Sequence, residues 1–232
     1  MKAHEHIKFK GTVLDNFLAN GCYRMRQDIF TTDLVWDNHN IYNVFWLRYS
    51  LTNFYFDKKP QKLLTANSLF EIKTREFSIK EELETLYQSY FDKVNFDAPP
   101  SMQDFLFGET FTEGAEHNLF DSEIIEVRDN GKLIAAGIYD KGSTAIAGIM
   151  NFYDPAYKKY SLGKYLMLLK MQHAIENKMQ FYYPGYIAYK YNKFDYKLFP
   201  NPHLAEIFDS KKKIWLPYNK ELLFQLVENS ED

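Results

Sequence analysis

Residues 150–197, MNFYDPAYKKYSLGKYLMLLKMQHAIENKMQFYYPGYIAYKYNKFDYK, concentrate the side chains that could do chemistry. An aromatic run ends at Asp154-Pro155, Ser161-Leu-Gly163 opens an amphipathic helix, and a second aromatic run leads to Lys193 and Lys197. Strand, turn, helix start and strand in this order suit a transferase that holds an activated acyl donor. A strand end meets a helix N-terminus there, and the free N–H groups of that terminus favour negative charge. Read locally, the same residues have plainer roles. Asp154 is an Asp-Pro turn residue, Ser161 a helix cap, and Tyr153, Tyr183 and Tyr186 sheet packing. Lys193 and Lys197 read as solvated surface, and Lys211-Lys-Lys213 as a turn rather than an RNA contact.

Composition narrows the class. The 232 residues carry a formal net charge of −3, which excludes the global basic field of a generic nucleic-acid binder but allows a local patch that touches an RNA end. Aromatic residues reach 18%, enough to pack a core and also to wall a surface that stacks on bases or peptide. Cys22 is the single cysteine, so no disulfide can form within the chain. No apolar run approaches spanning length, and the opening MKAHEHIKFK has no apolar signal core. The expectation is a soluble, cytoplasmic monomer without membrane contact. His4 and His6 read as a solvated terminus rather than metal ligands.

The elements that must position the chemistry follow from pattern. Thr12-Val-Leu-Asp15 has capping-box form for a helix ending at Gly21, and residues 22–31 look extended. Residues 41–56 are β-rich and aromatic, and Lys58-Lys-Pro60 breaks that run. A small N-terminal subdomain, 1–70, is expected before a second unit, 71–232. Ser78-Ile-Lys-Glu81 is another capping box, followed at helical spacing by Ile79, Leu83, Leu86, Tyr87, Tyr90, Phe91 and Val94. Ala98-Pro-Pro100 stops that helix, Ser101-Met-Gln-Asp104 starts another, and 108–120 reads as loop. Asp129-Asn-Gly131 between two apolar runs signals a tight hairpin. The helix from Ser161 carries Leu162, Tyr165, Leu166, Leu169 and a packed His173 on one face. The fold class is therefore α/β (α+β): a mixed, mostly antiparallel sheet flanked by helices.

Hairpin, strand, helix and strand in this order resemble the acetyltransferase-type (GNAT) acyltransferase fold. Its coenzyme A-dependent members hold pyrophosphate on a glycine-rich turn before the helix. Here that register reads Lys158-Lys-Tyr-Ser161-Leu-Gly163, with Ser in place of the first glycine. The stretch is instead similar to the aminoacyl-tRNA–protein transferases, the arginyl transferases and the bacterial aspartate/glutamate leucyltransferases. Phe152-Tyr-Asp-Pro155, Ser161-Leu-Gly-Lys-Tyr165, Tyr183-Pro-Gly-Tyr186 and Lys193-Phe-Asp-Tyr-Lys197 carry the likeness. Phe17–Arg24, Leu47-Arg48 with Phe54, and Trp215 extend it more weakly. The family's cysteine cluster before the Leu-Arg segment is missing: Trp36–Val44 has His39 and no Cys, so no metal or iron–sulfur centre is expected. In the central loop the family's Ile and Cys are Ala188 and Tyr191.

The resemblance implies aminolysis of an aminoacyl-tRNA ester by a protein's α-amine, with no cofactor. Arg is the first expected donor and Leu the second, and the acceptors are N-termini beginning with Asp or Glu, as in an N-degron pathway. It implies that Asp154 orients or deprotonates the amine, that Tyr153 assists at the ester, and that Ser161 presents the helix dipole to the oxyanion. Tyr183, Tyr186, Gly163, Lys193 and Lys197 would meet the aminoacyl end of the tRNA. Arg24 and Arg48 would read the acidic side chain, since Arg suits bidentate carboxylate recognition. Two alternatives are an acyl-coenzyme A-dependent N-acyltransferase and a non-catalytic binder of N-termini or tRNA.

Overall fold

The computed structural model of the protein describes residues 7–37, 39–93, 99–108 and 118–228. His4, His6, Val94, Ala98 and most of the loop expected at 108–120 lie outside them. The elements in order are α1 (Thr12–Ala19), β1 (Tyr23–Met25), β2 (Asp28–Phe30), β3 (Leu34–Asp37), β4 (Asn40–Ser50), α2 (Lys58–Ala66) and β5 (Glu71–Glu76). Then come α3 (Glu81–Phe91), α4 (Met102–Phe107), β6 (Ser122–Asp129), β7 (Lys132–Lys141), β8 (Ala145–Tyr153) and α5 (Leu162–Glu176). The chain closes with β9 (Phe181–Ala188), β10 (Ala205–Asp209), β11 (Ile214–Pro217) and α6 (Lys220–Glu228).

Nine strands form one sheet in the order β11-β10-β4-β9-β8-β7-β6-β5, with β3 also paired to β4. β1 and β2 form a separate hairpin. β4 pairs with β9 on one side and with β10 on the other, so the sheet has no break at residue 70. Asn130 and Gly131 take φ of 48° and 81°, the left-handed pair that a tight primed turn requires between β6 and β7.

α5 packs on β7, β8 and β9 and buries Leu162, Leu166, Met167, Leu168 and Met171. Each such side chain contributes on the order of 1.5–3 kcal/mol relative to exposure. The buried surface wraps further around α5 than a single stripe: Lys170 is fully buried, whereas Leu169 and His173 are only half-buried. α3 and α4 build a second cluster with Ile124, Ile138 and Phe152. Two of the expected capping boxes do not form. α1 starts after Gly11, which has no side chain to cap with, so Thr12 is already helical, and the Asp15 carboxylate is taken by the Ser143 and Thr144 amides at 3.1 and 2.9 Å. α3 starts at Glu81, and Ser78 lies outside it as a partner of Arg75 at 3.1 Å. Ser101 does cap α4, accepting from the Asp104 amide at 2.9 Å.

One junction in the sheet positions the site. β8 and β9 run parallel, while the other strand pairings of the described residues are antiparallel, and they pair only at Ala145–Phe181, Ile146–Tyr182 and Ala147–Tyr183. Past these rungs each strand carries an irregularity. β8 inserts a residue between the partners of Ile138 and Tyr139, and β9 inserts one between the partners of Leu47 and Tyr49. Bulges bend a strand and raise its twist. Pro184 has no N–H to offer a ladder, and Gly185 takes φ 101°. The two strands therefore part here. The Tyr23 hydroxyl sits at the fork, 2.6 Å from the Gly148 carbonyl and 2.7 Å from the Tyr183 carbonyl.

Candidate active site

The parting of β8 and β9 opens a cleft with two adjoining cavities. An inner cavity of about 410 Å³ lies between the strands, walled by Trp46, Tyr87, Met150, Tyr186 and Lys197 and floored by Arg24 and Lys170. An outer cavity of about 680 Å³ runs to the start of α5, where Tyr153, Lys158, Ser161, Gly163, Lys164 and Lys193 line it. Tyr90, Asn151, Phe194 and Tyr196 line both, and so mark the junction.

The aromatic walls are rigid because they stack on one another. Tyr186 meets Trp46 and Phe194 edge-on at 5.2 and 5.1 Å, and Tyr23 stacks on Trp46 at 5.0 Å. Such pairs add on the order of 1 kcal/mol each beyond area burial. Burial pushes the Tyr186 and Tyr196 phenols up, so both stay protonated as donors.

Two lysines are buried in this cleft. The Lys197 ammonium donates to the Tyr186 carbonyl at 2.8 Å and lies 4.8 Å from the ring centroids of both Tyr186 and Phe194. Burial lowers its pKa to about 7. Gly185 makes room for it, since a Cβ there would stand 3.1 Å from the Lys197 Nζ. Lys170 reaches from α5 to the Ile138 carbonyl at 2.7 Å, the Met150 carbonyl at 3.0 Å and the Asn151 Oδ1 at 2.8 Å. Burial pulls its pKa down to about 7 against the pull of the Asp140 carboxylate.

The sequence-derived candidates fall into two groups. Tyr153, Ser161, Gly163, Tyr186, Lys193 and Lys197 converge on the cleft. Ser161 is not the cap expected of it: it sits at φ 51°, ψ 44° and its hydroxyl makes no capping bond, because the preceding turn of Pro155–Tyr160 ends there in left-handed backbone. Gly163 is not forced by crowding, since a Cβ there would meet Tyr153 at an ordinary 3.5 Å. Lys193 is engaged with Asp37 at 3.1 Å.

The remaining candidates point elsewhere. The Asp154 carboxylate pairs with Lys132 at 2.7 Å, accepts from the Ala156 amide at 2.9 Å and lines a separate depression with Glu81 and Glu82. The Lys132 ammonium holds its pKa below the usual carboxylate value, which makes it a weak base. Tyr183 is buried among Phe181 and Trp215 and reaches neither cavity. Arg48 is spent on Glu206 at 2.6 Å and lies over the Phe181 and Trp215 rings at 4.4 and 4.5 Å. Arg24 touches the cavity floor, but its guanidinium is committed to Asp140 at 2.9 Å, Ser122 at 3.1 Å and the Leu106 carbonyl at 3.1 Å. With both Arg24 and Asp140 essentially buried, that pair is structural. Sequence reading missed Asn151, Lys170, Tyr90, Phe194 and Tyr196. A signal for Lys170 was present: a lysine inside LMLLKM, where the helix is apolar nearly all round.

The family model for the arginine-tRNA-protein transferase C terminus matches residues 82–205. The aspartate/glutamate leucyltransferase of Hahella chejuensis (strain KCTC 2396) is 28% identical over 157 residues, covering 66% of this chain and 64% of that protein. Arginyl-tRNA--protein transferase 1 of Arabidopsis thaliana is 28% identical over 173 residues, covering 64% of this chain and 26% of that protein. The matched stretches thus span less than two thirds of either relative. Among solved structures, FemX superposes with a TM-score of 0.52 at 9% identity, over 93% of this chain and 70% of that one, a likeness of GNAT-like fold alone. The matched span takes in β8, the start of α5, the parting of β8 from β9 and the Lys193–Lys197 turn, and through it the chain belongs to the arginine-tRNA-protein transferase family.

Proposed function

We propose that the protein transfers an amino acid from an aminoacyl-tRNA to the α-amine of polypeptides that begin with Asp or Glu. The observation that carries this reading is the two-cavity cleft at the fork of β8 and β9, a fork that lies inside the family-matched span. The outer cavity suits the tRNA 3′ end: Lys158 and Lys164 meet phosphate, and Tyr90 and Tyr153, with rings 5.4 Å apart, stack on the terminal base. The acceptor N-terminus enters the inner cavity. The ester is already activated, so the site must align two reactants and take a proton from the amine. An α-amino group is mostly protonated at neutral pH and attacks only as the free amine. Lys197, with a pKa near 7, accepts that proton; Asp154 faces the other way.

The charge of the cleft also favours one donor. Arg24, Lys170 and Lys197 face the inner cavity, and no carboxylate lines it among the described residues. In the outer cavity Asp37 is the carboxylate, and it is held by Lys193 and Tyr191. A donor guanidinium finds no uncommitted carboxylate in this lining among the described residues, so leucyl is favoured over arginyl as donor. The relatives' names divide, leucyl for the Hahella protein and arginyl for the Arabidopsis one.

The test mixes purified protein, peptides beginning with Asp, Glu or Ala, and tRNA charged with labelled Leu or Arg. Label is expected on the Asp and Glu peptides from leucyl-tRNA. No label from any donor would refute transfer. Label from arginyl-tRNA alone would refute the donor choice.

A further inference from the structure

Asn151 stands at the one place where both cavities meet on a strand backbone, and no step above uses it. Its carboxamide is held from two sides. Lys170 Nζ lies 2.8 Å from its Oδ1, and its Nδ2 donates to the Gly163 carbonyl at 3.2 Å. A carbonyl oxygen can only accept, so the amide nitrogen must be the atom that faces Gly163. That orientation leaves the second N–H of Nδ2 without a hydrogen-bond partner among the described residues, on a side chain that lines both cavities.

The support beneath Asn151 is unusual for a sheet. Lys170 is 1% exposed and reaches from α5 into a gap among the side chains of β7. Gly137, opposite Asn151 in the ladder, makes that gap: a Cβ there would stand 2.9 Å from both Lys170 Cε and Asn151 Oδ1. An ammonium has three donors, and Lys170 finds three acceptors, two of them carbonyls beside the β8 bulge. If its task were only to satisfy those two carbonyls, Asn151 could be replaced at no cost to chemistry.

We propose that Asn151 is an oxyanion donor of the transfer step, and that Lys170 is the positioning residue that holds its carboxamide in the donating orientation. This rests on the reading of the cleft as the site of aminolysis. In that step the amine nitrogen bonds to the ester carbonyl carbon, and the C=O electron pair moves onto oxygen. Collapse re-forms C=O and breaks the bond to the ribose oxygen. The amine's proton leaves to the base, and the ribose oxygen takes one up. The second N–H of Asn151 meets the negative oxygen, at the junction where donor ester and acceptor amine come together.

The experiment measures kcat and the KM for leucyl-tRNA and arginyl-tRNA, with thermal melting, in Asn151→Ala, Asn151→Asp and Lys170→Met. Asn151→Asp keeps an acceptor opposite Lys170 but no N–H, so it holds the fold and loses the function. Both Asn151 variants are expected to lower kcat by about 10²–10³-fold with KM unchanged, the loss typical of one oxyanion donor. Lys170→Met is expected to lower kcat with KM unchanged; if it fails to fold, Asn151→Asp still decides the assignment. Wild-type transfer with undiminished kcat in both Asn151 variants would overturn it. Full kcat in a folded Lys170→Met would overturn the positioning role. No transfer by the wild-type protein would overturn the transfer reading itself and this assignment with it.

Discussion

Replacing Arg24 by methionine tests whether that arginine serves the fold or the substrate. The guanidinium and its Asp140 partner are 3% and 0% exposed, and Arg24 also holds Ser122 and the Leu106 carbonyl. Methionine keeps much of the volume and leaves a carboxylate buried without its cation. Breaking a buried pair in this way costs about 3–5 kcal/mol. Burial already raises the Asp140 pKa, against the opposing pull of Arg24 and of the Ser122 hydroxyl. Without Arg24 the folded-state value rises further. Between the unfolded value, near 3.9, and that raised value the folded state holds a proton the unfolded state has lost, so stability falls as pH rises, by up to about 1.4 kcal/mol per unit. From pH 5 to pH 7 the variant should lose up to about 2.7 kcal/mol on this account. Urea unfolding at the two pH values, extrapolated linearly to water, reads both quantities. A loss below about 1 kcal/mol at pH 7, or no steeper pH dependence than wild type, would refute the structural role. Adding Asp140→Leu should return most of the stability, because a well-packed apolar pair often replaces a buried ion pair without loss.

Further outcomes follow from the same geometry. With Lys197 neutral only above a pKa of about 7, transfer should rise with pH through that value, and Lys197→Met should move the rising limb of initial-rate profiles up to the acceptor amine's own titration at about 8. Asp154→Ala should leave kcat near wild type while costing about 0.5–2 kcal/mol, the range for a lost cap, in denaturant melts. Its exposed Lys132 pair adds little. Gly137→Ala should destabilise by about 1–3 kcal/mol through overpacking against Lys170 and Asn151. It should also lower kcat, and crystallography of the variant would show the displaced carboxamide.

Local signals in the sequence were dependable where local physics decides the outcome. Asn130-Gly131 makes its turn because only left-handed backbone closes that hairpin, and Ser101 caps α4 with no competing partner. The order of β6, β7, β8, α5 and β9 was legible for the same reason: each joins its neighbour through a short connection. Side-chain direction was not. Asp154 ends the right strand, but Lys132 on the neighbouring β7 captures it outside the cleft. Thr12-Val-Leu-Asp15 has the letters of a capping box, yet Asp15 serves amides more than a hundred residues away. Arg24 looks like a free reader of carboxylates until Asp140, distant in sequence, is placed against it. Lys170 and Asn151 escaped notice because their pairing exists only once α5 lies across β7 and β8.

The fork of β8 and β9 has a consequence for how the molecule assembles. On one side of it lies a meander, β5 to β8, whose last three strands are joined by short turns. On the other, β4 must find β9 and β10 across more than a hundred residues. Contacts of short sequence separation form sooner, since less chain must be closed to reach them. The meander can thus be complete while β4 still lacks β9 and β10, and three rungs, at Ala145, Ile146 and Ala147, then weld the late half to the early one. The cleft comes into being with that weld, so a chain stalled before it would be largely structured yet have no place to bring two substrates together.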